Sequence, residues 1–113
     1  MDLTLWHNPR CSKSREAGKL LADRGVAHAI RLYLKEPPSA EEVMGLANRI
    51  GRPVSEIVRT KEKAYRALGL AAADDAALAM AISETPVLLE RPILDDGRRA
   101  VIGRPPEDIL TLN

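Results

Sequence analysis

Glu36-Pro37-Pro38 cuts this chain into parts that must fold by different rules. Two consecutive prolines cannot continue a helix or a central strand, because each lacks an N–H and fixes its own φ. Before the break, residues 2–6 read as a short strand. Pro9 then interrupts, a helix starts near Ser12, and Ala17, Leu20, Leu21 and Arg24 follow at helical spacing until Gly25 offers a stop. Residues 27–34 read as a second strand, with His28, Ile30, Leu32 and Leu34 sharing one face by alternation. After the break the pattern is helical. Ser39-x-x-Glu42 is a capping box, and Val43, Leu46, Ala47 and Ile50 form one stripe that Gly51 ends. Pro53 opens a short helix carrying Ile57, Val58 and Arg59. Glu62 to Leu68 is another, closed by Gly69. Asp74 or Asp75 caps a helix through Ile82, and Pro86 starts either a turn or a strand.

The last part changes rule again. Pro92-Ile93-Leu94 and Arg99-Ala100-Val101-Ile102 flank the turn signal Asp95-Asp96-Gly97-Arg98, and Arg104-Pro105-Pro106-Glu107 opens a terminal helix. The order is therefore β-α-β, a helical block, then β-β-α. That order predicts an α/β chain with a thioredoxin-like sheet: one domain over residues 1–113, with a helical insertion at about 39–84. Its β-α-β half should be parallel with a right-handed crossover. In such a sheet a cis-proline precedes the first strand of the hairpin, beside the active cysteine. Arg91-Pro92 fits that slot and Pro86 competes for it.

Cys11 is the only cysteine. It sits not in an apolar periodic stretch but among Pro9, Arg10, Ser12 and Lys13, where the first strand hands over to a helix. Unpaired N–H groups and the positive end of the helix dipole meet there, and both favour thiolate over thiol. Arg10, Lys13, Arg15 and His7 add charge in the same sense, and Ser12 and Ser14 are placed to cap the helix or hydrogen-bond the sulfur. Cys11-Ser12-Lys13-Ser14 is C-x-x-S, so no internal dithiol exists and any redox partner thiol must come from outside. A phosphatase loop, with arginine six residues after cysteine, meets Ala17 instead.

Other classes are excluded by what is missing. There is no Phe, and aromatic residues make up 3% of the chain, which leaves little to stack on bases; the net charge is +1. Two histidines and one cysteine are too few for a structural zinc site. Neither a Walker A nor a G-x-G-x-x-G pattern occurs, so no bound cofactor is expected. No apolar run approaches a membrane span and no signal peptide is apparent, which with a single cysteine predicts a reducing cytoplasm. Among the 17 basic residues arginine dominates, and arginine suits planar oxyanions.

His7-Asn8-Pro9-Arg10-Cys11-Ser12-Lys13-Ser14-Arg15 resembles the active segment of the glutaredoxin-dependent arsenate reductases. So do Tyr33-Leu34-Lys35-Glu36-Pro37-Pro38, Ile57-Val58-Arg59, Glu90-Arg91-Pro92-Ile93 and Gly103-Arg104-Pro105, over residues 3 to 110. The resemblance implies that Cys11 is the nucleophile, that His7 lies near the thiol and that Ser14 assists thiolate formation. It implies that Arg59, Arg91 and Arg104 bind arsenate or a similar oxyanion and converge on Cys11. Glutathione would be co-substrate, attacking the arsenic adduct, and glutaredoxin would supply the second thiol for reduction to As(III). Ser12-Lys13 replaces the Gly-Thr pair of plasmid-borne members and looks like the chromosomal branch. The wider family leaves two alternatives: a monothiol oxidoreductase acting on glutathione mixed disulfides, and a non-catalytic regulator that binds RNA polymerase. Members of the latter kind often carry C-x-x-C where this chain has Ser14.

Overall fold

The computed structural model describes residues 2–112. The chain divides into two compact units, Met1–Tyr33 with Arg91–Asn113, and Leu34–Glu90. The second runs a few residues beyond the 39–84 block at each end.

The first unit holds a four-stranded sheet in the order β2-β1-β3-β4. β1 (Thr4–Trp6) pairs in parallel with β2 (Ala29–Arg31) and antiparallel with β3 (Ile93–Asp95), which pairs antiparallel with β4 (Ala100–Ile102). The parallel pair follows from the intervening helix, since parallel strands need a crossover. That helix, α1 (Ser12–Asp23), buries Ser14, Ala17 and Leu21 on one side. Leu5, Ala17, Leu21, Leu94 and Ile109 are wholly buried together, so sheet, helix and C-terminal turn share one apolar cluster. Ile109 belongs to a 3-10 helix, Pro106–Leu112.

Gly103 makes that closure possible. A Cβ there would lie 2.7 Å from Ile109 Cγ2 and 2.8 Å from Pro92 Cγ, while its own N–H donates to Pro92 O at 2.8 Å. No side chain fits between those two groups without moving one, and the proline ring has no rotamer to yield.

The second unit is helical. α2 (Ala40–Ile50) starts at the expected capping box of Ser39 and Glu42 and stops at Gly51, whose φ of 82° is left-handed. α3 (Lys63–Ala67) ends before Gly69, also left-handed. α4 (Asp75–Glu84) is capped by Asp74, which accepts from Ala77 N at 2.9 Å. α2 and α4 pack together, and Val43, Leu46 and Ala47 of one and Leu78, Ala79, Ala81 and Ile82 of the other are buried.

Two local expectations change. The second strand is only Ala29–Arg31, so His28, Leu32 and Leu34 lie outside the strand whose face they were to share with Ile30, and Ile30 is 57% exposed while Tyr33 is fully buried. β2 lies at the sheet edge, and the chain leaves it at Leu32 to turn, so alternation ceases to report burial. Pro53 does not open a helix through Arg59. The helical turn is 3-10 and covers Val54–Glu56 only, after which Val58 forms an antiparallel bridge with Leu89. Ile57 and Val58 are β-branched, and an extended partner strand was available to them. Of the two readings open at Pro86 the structure takes the turn, a 3-10 turn over Pro86–Leu88.

Candidate active site at the Cys11 turn

Cys11 is the N-cap of α1, in extended conformation. Neither Ser12 nor Ser14 caps the helix. The turn before it is built on Asn8, whose side-chain Oδ1 accepts the N–H of Arg10 at 3.0 Å while its carbonyl accepts the N–H of Cys11 at 3.0 Å. An Asn ahead of Pro is suited to this, since its short amide imitates a turn of backbone. The Cys11 carbonyl then accepts from Arg15 N at 3.0 Å, which begins the helix. Arg15 Nη1 donates back to Pro9 O at 2.9 Å, tying the helix to the turn. Cys11 itself is half-buried and its sulfur has no hydrogen-bond partner among the described residues.

Ser14 faces the turn from inside. It is fully buried, its Oγ accepts Asn8 N–H at 3.0 Å and lies 2.7 Å from His7 Nδ1. The hydroxyl has one hydrogen and two acceptor sites, so beside the Asn8 N–H it either donates to Nδ1 or accepts from it, according to the imidazole tautomer. Burial, then the nearby positive charges of His28 and Arg15, hold His7 below the ordinary histidine value of 6.5. His7 is therefore neutral near pH 7. It does not add the positive charge expected of it beside Cys11; it acts through hydrogen bonds. Its backbone N–H donates to Arg31 O at 2.9 Å, continuing the β1–β2 pairing, and Arg31 stacks over Trp6 at 4.7 Å.

The structure joins Arg91 and Arg104. Arg104 Nε donates to the carbonyl of Arg91 at 2.9 Å, and Arg91 Nε and Nη1 are buried while Arg104 is exposed. The Arg91–Pro92 bond is cis, as the sequence order predicts. Arg104–Pro105 is cis as well, which the sequence reading does not anticipate.

Arg59 belongs to the second unit. Its backbone N–H donates to Leu88 O at 2.7 Å and Glu90 N donates to Ile57 O at 2.8 Å, so the Val58–Leu89 bridge sets Arg59 beside Glu90. Its guanidinium carries two carboxylates: Glu62 Oε1 is hydrogen-bonded to Nη1, and Glu90 Oε1 lies 3.9 Å from Nε. Sequence reasoning passed over Asn8, Glu62 and Glu90. The Asn-Pro step was a legible turn signal, and Arg59–Glu62 has the i,i+3 spacing of an ion pair; Glu90 had no local signal.

Among the described residues no group of three His, Cys, Asp or Glu side chains could hold a metal ion, and no helix is long and apolar enough to cross a membrane.

The family model described as ArsC family matches residues 6–112. The chain belongs to the ArsC family. It is 43% identical over 115 residues to an arsenate reductase of Haemophilus influenzae, covering 99% of each chain. An Escherichia coli arsenate reductase is 31% identical, over 98% of this chain and 80% of that one. Among solved structures, an arsenate reductase from Vibrio cholerae superposes with a TM-score of 0.95 at 40% identity, over 100% of this chain and 98% of that one. The four-stranded α/β sheet is thus the ArsC, thioredoxin-like sheet that the element order predicts.

Proposed function

We propose that this ArsC-family chain is an arsenate reductase in which the Cys11 thiolate is the nucleophile and glutathione and glutaredoxin supply the remaining thiols. The observation that carries the reading is Cys11 at the head of α1, with its sulfur unengaged and its backbone fixed by Asn8 and Arg15. A helix head stabilises a thiolate and an approaching oxyanion by the same N–H groups and dipole. Arg59, Arg91 and Arg104 hold the oxyanion, and guanidinium groups match its geometry.

In the first step the thiolate sulfur bonds to As(V) and one As–O bond breaks, its oxygen leaving as water after protonation. Glutathione then replaces a second oxygen in the same way, again releasing water. The glutaredoxin thiolate attacks the glutathione sulfur. A disulfide forms between those two sulfurs, and the electron pair of the broken S–As bond stays on arsenic, which becomes As(III). Water displaces Cys11 from arsenic, releasing arsenite and restoring the thiol. His7, neutral and hydrogen-bonded to Ser14, keeps that serine against the turn.

Arsenite formation by the purified chain tests this, with glutathione and glutaredoxin both present. Turnover that vanishes in Cys11→Ser supports it. Background rates for both proteins, alongside release of glutathione from a mixed-disulfide peptide by the wild type, would transfer the assignment to a monothiol oxidoreductase.

A further inference from the structure

Arg59 is already occupied by carboxylates of its own chain. Glu62 hydrogen-bonds its Nη1 and Glu90 lies 3.9 Å from its Nε, with the Arg59, Glu62 and Glu90 side chains only 21, 27 and 23% exposed. One cation between two anions is a poor place for a third anion. An oxyanion reaching this guanidinium meets like charge at close range, in a setting where water screens only in part.

We propose that Glu62 is an internal counter-ion that occupies Arg59 in place of the oxyanion and is displaced when the oxyanion binds, so that Glu62 sets the affinity and holds it down. This rests on the reading that Arg59 binds the oxyanion and adds a residue that opposes it. Of the two carboxylates Glu62 is the one that leaves, because it lines an open cavity and Glu90 does not. Glu90 is fixed by the extended pairing of Ile57 and Val58 with Leu88 to Glu90, whereas Glu62 is the residue before the five-residue helix α3.

The displaced carboxylate has a place to go. Thr60, Lys61, Glu62, Lys63, Arg66 and Ala67 line an open cavity of about 520 Å³. Lys61, Lys63 and Arg66 have no side-chain partner among the described residues. Arg66 follows Glu62 by four residues, and an acid four residues N-terminal to a base is the favoured order for a helix-surface pair. Glu62 is bound to Arg59, and Arg66 offers a second cation at that favoured spacing, to which the carboxylate turns when the oxyanion takes Arg59. The exchange would leave Arg59 to the oxyanion while its backbone stays anchored to Leu88.

Two effects of removing the Glu62 charge oppose one another. Repulsion of the oxyanion disappears, which tightens binding. Arg59 also loses a partner that orders it, which loosens binding. Glu90 and the Leu88 hydrogen bond still hold Arg59, so relief of repulsion dominates.

The test is calorimetric titration of inorganic arsenate into full-length Cys11→Ser protein, where no chemistry follows binding. In that background Glu62→Gln should bind arsenate about tenfold more tightly, as expected for removing a like charge at a partly desolvated anion site. Glu62→Asp, which keeps the charge, should stay near the parent. Arg59→Ala should weaken binding, and adding Glu62→Gln to it should recover nothing, because Glu62 acts through Arg59. In turnover with Cys11 intact, Glu62→Gln should lower KM for arsenate more than it changes kcat. Equal or weaker binding by Glu62→Gln, with Arg59→Ala still impaired, overturns the counter-ion role and leaves Arg59 as an oxyanion ligand. Unchanged binding by Arg59→Ala overturns both.

Discussion

Around Cys11 the chain is held mainly by neutral hydrogen bonds centred on the buried Asn8 and Ser14, with Arg15 bracing the turn from outside, whereas around Arg59 it is held by charges that still see water. Ser14 is wholly buried and joins His7 to Asn8, and Asn8 in turn fixes Arg10 and Cys11. No net charge is spent in that network, so it can be rigid without repelling or attracting an anion. At Arg59 the partners are Glu62 and Glu90, and both face a guanidinium that the proposed reaction needs. Neutral bonds suit a part that must keep its shape. Ion pairs suit a part that must exchange one anion for another, because their net worth is small at partial exposure.

The comparison breaks hardest at the sulfur. Cys11→Ser should bring arsenite formation to background, since a serine hydroxyl is not a soft nucleophile near neutral pH. Arg59→Ala should instead leave measurable turnover with a raised KM, because Arg91 and Arg104 remain and the nucleophile is intact. Steady-state rates over a range of arsenate concentrations distinguish the two. Equal loss in both variants would show that the two regions are not separable in function.

The neutral network should cost more stability to break than the ionic one. Ser14→Ala leaves Asn8 N–H and His7 Nδ1 without their partner in a buried site, which is worth roughly 1–3 kcal/mol. Chemical denaturation should show that drop. Residual activity should survive, since the α1 head still carries Cys11. Glu62→Gln weakens one partly buried ion pair but keeps a side-chain oxygen for Arg59 and leaves Glu90 beside it, so it should cost less than about 1 kcal/mol, a difference that shrinks further in high salt. A larger loss for Glu62→Gln than for Ser14→Ala would reverse the contrast.

Legibility in the sequence follows the same division. The Cys11 turn was readable because its signals are local: a strand ending at Trp6, Pro9, then a cysteine before a helical stripe. The capping box at Ser39 and Glu42 and the glycine stops at Gly51 and Gly69 were readable for that reason also. The Arg59 corner was not. Its extended backbone depends on Leu88 to Glu90, some thirty residues on, and propensity alone favoured a helix after Pro53. Ser14 was seen as a residue near the thiol, but its turning to His7 and Asn8 needs the strand and helix in place together. The edge position of β2 likewise removed the burial that alternation at Ile30 and Leu34 suggested. Gly103 gave no sign of its role, because the groups that exclude a side chain there, Pro92 and Ile109, come from separate elements.

The smallest effect expected is a pH dependence confined to the neutral network. His7 is held below the ordinary histidine value of 6.5 by burial and by the charges of His28 and Arg15. Between 6.5 and the lowered value the unfolded chain binds a proton that the folded chain refuses, so stability must fall as pH falls through that window. Above 6.5 both forms are neutral and the histidine makes no pH-dependent difference. Asp96 is lowered too, by the backbone N–H groups of Arg99 and Arg98, but its contribution is lost only well below that window, as the carboxylate itself is protonated. Denaturation midpoints at pH 7.5, 6.5 and 5.5 should therefore decline for the wild type and decline less for His7→Gln, which keeps a polar side chain and has no proton to bind. The two histidines of the chain, His7 and His28, both lie outside the Leu34–Glu90 unit that holds Arg59, so Glu62→Gln should run parallel to the wild type. If His7→Gln shows the full wild-type decline, the acid sensitivity lies elsewhere and His7 is not held neutral by its burial.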